Sequence, residues 1–96
     1  MSIRKLLDEL SGSITLAASY PPDEYPEYLS LTYQVHKEDI QELWGQIRTK
    51  LKRDVEKIAA IDNRLAQMFT AFENGEKVLG RKIAWDLWNL PIRDLR

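Results

Sequence analysis

Asp54 and Asp62 stand eight residues apart inside a stretch whose other regularly spaced positions are apolar. Ionised carboxylates are costly on an apolar helix face unless something pairs with them. Two such groups could do acid–base work if a cleft surrounded them. They could also pair, cap or fix register within the fold, and this is the stronger reading. Asp54 can reach Lys50 at i−4 and Lys57 at i+3. Asp62 has no base at those spacings. It needs Arg81 or Lys82 from another element, a base from a second chain, or a helix break that it or Asn63 would cap.

His36 is the sole histidine, and Glu38 and Asp39 follow closely. One imidazole with two carboxylates is a poor zinc set, and the chain has no cysteine. The simpler account places His36 at a strand–helix junction, with the two acids favouring the helix N-terminus. The four glycines, at 12, 45, 75 and 80, are too scattered for a phosphate-cradling loop. No catalytic, metal-binding or cofactor-binding residue is therefore assigned, and the chain reads as non-enzymatic.

Binding remains. The segment RTKLKRDVEK carries Arg48, Lys50, Lys52, Arg53 and Lys57. Arg48, Lys52, Arg53 and Lys57 are the residues a nucleic acid would use. Against this, the segment lacks interleaved aromatics, and the net charge is −1. Residues 20–28, YPPDEYPEY, concentrate tyrosine, proline and acid. The spacing of PPDEY misses PPxY by one residue. The stretch reads first as a loop, with Tyr25, Tyr28 and the acids Asp23, Glu24 and Glu27 at an exposed tip. Tyr25, Tyr28 and Trp85 are the candidates for contact with a protein partner, since aromatics dominate interface hot spots.

These side chains need elements to hold them. Four segments are expected in one domain of 96 residues. Residues 1–11 form a short helix, with Ile3, Leu6, Leu7 and Leu10 on one face and Ser11-Gly12 as its stop. Residues 13–35 form a β-hairpin, because apolar residues alternate at 14, 16, 18, 20 and again at 29, 31, 33, 35. A competing reading makes 27–36 the first turn of the next helix. The order strand, Tyr-Pro turn, strand, helix resembles the Tyr-Pro region of RWD and ubiquitin-conjugating folds. That resemblance lacks their preceding hairpin, and no function is carried over from it.

Residues 37–74 form one long amphipathic helix, about 55 Å if unbroken. Its apolar residues span an arc of roughly 140°. Trp44, Leu51, Ile58, Leu65 and Phe72 recur every seven residues, the spacing of a helix–helix seam. Residues 76–90 form a C-terminal helix returning antiparallel, with Leu79, Ile83, Leu87 and Leu90 inward and Trp88 in the core. The fold class is thus mainly α with a hairpin (α+β). A spine so long would leave apolar surface uncovered in one copy, so a homodimer through Trp44, Leu51, Ile58 and Leu65 is expected.

Absence of cysteine fits the cytoplasm, and no apolar run is long enough to span a bilayer. The function expected is a small protein–protein interaction or adaptor protein. A nucleic-acid-associated regulator is the alternative.

Overall fold

Four helices form the computed structural model: α1 (Ile3–Ala17), α2 (Tyr33–Lys50), α3 (Ile58–Glu73) and α4 (Lys77–Asn89). It describes residues 2–20 and 23–96, Arg93 by its backbone alone. Pro21 and Pro22, part of the Tyr-Pro loop, lie outside the described residues. Single 3-10 turns at Glu27–Leu29, Val55–Lys57 and Ile92–Asp94 shape the connections.

No strand occurs among the described residues, so the hairpin expected over 13–35 is absent. The alternation in its first half hides a second period. Leu6, Leu7, Leu10, Ile14 and Ala17 recur every three or four residues and are all buried. That face continues past Ser11-Gly12, and burying it outweighs the roughly 1 kcal/mol an interior glycine costs. Thr15 reinforces the extra turn, its hydroxyl donating to the Ser11 carbonyl at 2.9 Å. Ser2 caps the start by accepting from the Lys5 N–H at 3.3 Å.

The second half becomes a turn and a helix start. Tyr28 and Leu29 lie in a 3-10 turn, and Ser30 reverses the chain with φ of 48°. Thr32 then caps α2, accepting from the Val35 N–H at 3.3 Å. Tyr33 and Val35, the end of the apparent alternation, are therefore first-turn helical residues. The likeness to RWD and ubiquitin-conjugating folds falls with the strands it required.

The long helix expected over 37–74 is two helices. Leu51 leaves the helical conformation at φ −69°, ψ 134°. Neither proline nor glycine forces this. Instead the N–H groups of Lys52, Arg53 and Asp54 all donate to the main-chain oxygen of Arg96, at 3.1, 2.8 and 2.9 Å. The Asp54 carboxylate accepts the Arg96 N–H in return, at 2.8 Å. Donors that a continuous helix would satisfy internally are satisfied by the C-terminal segment. The break shortens the molecule: its longest extent is 36 Å, against about 55 Å for an unbroken helix.

Successive helices run antiparallel. His36, early in α2, meets Ser13, late in α1. Lys37 pairs with Glu73 across α2 and α3, and Trp44 with Asp62 further along. Gly75, at φ 79°, supplies the left-handed residue that turns α3 into α4. The two helices then approach closely at Gly80. A Cβ there would lie 2.5 Å from the Phe72 ring.

The core draws on every helix: Leu7, Leu10 and Ile14, then Ile40 and Ile47, then Met68, then Leu87. Ile92 and Leu95 close one end. Trp44, Leu51 and Leu65 belong to this core, and Ile58 is half-buried against it. The seven-residue series thus packs against the chain's own helices, and these side chains present no seam to a second copy. α4 is also rotated from the expected face. Gly80, Ala84 and Leu87 point inward, while Leu79 and Leu90 are exposed.

Candidate interaction surface

Asp23, Glu24 and Tyr25 of the Tyr-Pro loop are tied to the bundle. Tyr25 is half-buried. Its hydroxyl lies 2.7 Å from His36 Nδ1, and its ring meets the imidazole edge-on at a centroid separation of 5.6 Å. On the other side of His36, Nε2 lies 2.8 Å from the Ser13 carbonyl. A carbonyl can only accept, so Nε2 carries the proton and Nδ1 accepts from Tyr25. Burial holds the His36 pKa below its ordinary value, against the opposing pull of the Ser13 carbonyl and Asp39. Burial likewise pushes the Tyr25 hydroxyl up.

Two of the loop's acids, Asp23 and Glu24, are engaged as well. Glu24 accepts from Lys77 and from Arg81, the latter at 2.9 Å, and Asp23 lies 3.8 Å from Lys77. Those hydrogen bonds, Lys77 first, hold the Glu24 carboxyl below the usual range. Tyr25 therefore does not stand at an exposed tip. Tyr28 does stay out, at 81% exposed.

Asp62 and Asp54 have structural partners. Asp62 takes the Trp44 indole N–H on one oxygen, and Arg48 approaches the other at 3.1 Å. The base it needs comes from α2, not from Arg81 or Lys82. Asp54 sits in the α2–α3 connection with Lys57 3.4 Å away. Its hydrogen bond from the Arg96 N–H is the chief cause of its lowered pKa. The two carboxylates do not form a dyad. Among the described residues no group of three or more His, Asp or Glu is placed to hold a metal ion.

These ion pairs divide the basic segment. Arg48 and Lys57 face acids of their own chain, while Lys52 and Arg53 are exposed beside the break. A groove of about 500 Å³ between α1 and α2 has Leu6, Leu16 and Leu43 along it and Glu9, Asp39 and Glu42 at its rim.

The largest apolar side chains at the surface lie on α4. Trp85 is 54% exposed and Trp88 42%. Their rings stack, with centroids 5.2 Å apart and planes inclined by 19°. Val78 and Leu79 are exposed earlier on the same helix. No protein-family model, curated protein or solved structure matches the chain. The surface must therefore be read on its chemistry.

Trp85 lies exposed, as a side chain available to a partner must. Trp88 is the residue that sequence reasoning misplaced. The signal for it was the pair Gly80 and Ala84, small residues four apart. Small residues permit close helix approach, so the inward face centres on them and Leu87 instead of on Leu79 and Leu90. That rotation carries Trp88 outward beside Trp85. No helix among the described residues is long and apolar enough to cross a membrane.

Proposed function

We propose that this chain is a non-enzymatic protein-interaction module that works through the outer face of α4. The observation that carries this reading is the exposed, stacked pair Trp85–Trp88. Leaving two indoles in water forgoes a large burial energy, and aromatic anchors of this kind concentrate the energy of protein interfaces. Preorganisation adds to it: each ring limits the motion of the other, so less side-chain entropy is lost on docking. The non-enzymatic part is supported by His36, which is 2% exposed and has both ring nitrogens engaged.

The test is retention of a protein partner by the immobilised chain. Trp85→Ala and Trp88→Ala are expected to abolish retention while leaving the helical circular-dichroism spectrum intact. Retention unchanged in both variants would reject the α4 face.

A second reading, nucleic-acid association, is favoured by one observation: Lys50, Lys52 and Arg53 are exposed together where α2 ends. It requires a mobility shift at low salt that weakens steeply as salt rises. No shift at low salt eliminates it.

A further inference from the structure

We infer that the occupant of the α4 face is a second copy of this chain, docked antiparallel across a twofold axis. This inference rests on the reading of α4 as the interaction surface, and it goes further by naming the partner and the register.

Four exposed positions run along the middle of the face: Val78, Lys82, Trp85 and Asn89. Their spacings are four, three and four. That is the spacing of a helix–helix seam. It also reads the same in both directions. A twofold axis between positions 83 and 84 therefore sets residue 78 opposite 89 of the second copy, and 82 opposite 85. Isologous dimers require just this self-complementarity.

The chemistry of the register matches its geometry. Lys82 comes to lie against Trp85 of the second copy, and the reverse pair forms by symmetry. An ammonium over an indole face is the most favourable cation–π arrangement. The four-carbon stem of Lys82 covers the stacked ring as well. Lys82 is exposed in the single copy, so its side chain can reach the second copy. Val78, 80% exposed, meets the aliphatic part of Asn89, with Leu79 and Trp88 at the two edges.

The area is what a weak dimer needs. Trp85 at 54% and Trp88 at 42% exposed leave roughly 240 Å² of indole uncovered. Val78 and Leu79, 80% and 46% exposed, bring the apolar patch to roughly 450 Å² per copy. Two copies supply about 900 Å² before Lys82 and Asn89 are counted, which reaches the ~1,000 Å² a specific interface requires. An interface at that threshold points to dissociation in the micromolar range. The seven-residue series cannot serve instead, since Trp44, Leu51 and Leu65 are already buried within one chain.

Sedimentation equilibrium over the micromolar range tests the proposal, with tryptophan emission followed on dilution. The expected result is a monomer–dimer equilibrium with emission moving to the red as Trp85 becomes exposed. Trp85→Ala is expected to raise the dissociation constant at least ~100-fold, because a twofold interface loses the anchor twice. Lys82→Glu should raise it about tenfold or more, and Lys82→Arg, which keeps the cation, should stay within about threefold. Both positions are solvent-facing, and an unchanged circular-dichroism spectrum confirms that each of the three variants is folded.

A monomer at every concentration overturns the inference. Capture of a different protein that depends on Trp85 would still stand, so the two failures are separable. A dimer that survives both Trp85→Ala and Lys82→Glu also overturns it, since the contact then lies elsewhere.

Discussion

Three glycines lie within helices, and alanine in place of each separates local preference from packing. Gly12, Gly45 and Gly80 are interior to α1, α2 and α4. None of the three has positive φ. Alanine at any of them gains about 1 kcal/mol of helix propensity. At Gly12 and Gly45 an added Cβ meets nothing within 4 Å, so that gain should appear undiminished. At Gly80 the same carbon falls 2.5 Å from two Phe72 ring atoms and 2.9 Å from a third. Phe72 is 3% exposed and packs edge-on against Tyr33, at a centroid separation of 6.0 Å, so the ring has little room to yield. Overpacking of this kind costs about 1–3 kcal/mol. Because the propensity gain is common to all three, Gly80→Ala should fall below Gly45→Ala by that ~1–3 kcal/mol. In a domain of this size each kcal/mol moves the melting temperature by about 4–8 °C. Thermal unfolding followed at 222 nm by circular dichroism reads both shifts. Gly80→Ala matching Gly45→Ala would refute the close α3–α4 contact. Gly12→Ala bears on the first helix: a loss of stability there would mean that Gly12 ends α1 in a left-handed conformation after all.

Two further outcomes follow from the buried polar contacts. Asp62→Ala strands the Trp44 indole N–H, which lies on a side chain 5% exposed, and should cost about 1–3 kcal/mol. Asp62→Asn keeps an acceptor and should recover most of it, as urea midpoints will show. Stability should also depend on pH through His36, which burial keeps neutral in the fold. The unfolded chain takes up a proton near pH 6.5 that the folded chain refuses. Stability is therefore fully present above about pH 6.5 and declines as pH falls from there through the lower folded-state pKa. As the only histidine, His36 gives one unambiguous imidazole resonance. A midpoint by NMR at or above 6.5 would contradict the burial. In His36→Gln the slope of the urea midpoint over this pH range should flatten.

The sequence by itself determined the apolar stripes of the first three helices, the turn at Gly75 and the exposure of Trp85. Each depends on residues close in the chain: the spacing of apolar side chains and a glycine able to take positive φ. With one histidine and no cysteine, the chain holds few of the side chains that nucleophilic or imidazole chemistry uses. Residues 13–35 were not legible in the same way. Ile14 and Ala17 satisfy a helical period as well as an alternating one, and the competition was settled by Leu7 and Leu10, whose buried face continues through them. Only tertiary contact decided the rest. The break after Leu51 has no local breaker; it exists because Arg96, 42 residues from Asp54, supplies the partners for the unpaired backbone groups. The rotation of α4 depends on how close α3 can come at Gly80, a distance that no property of α4 alone specifies. That rotation is what puts Trp88 beside Trp85 at the surface, so the exposed, stacked aromatic pair is itself a product of packing.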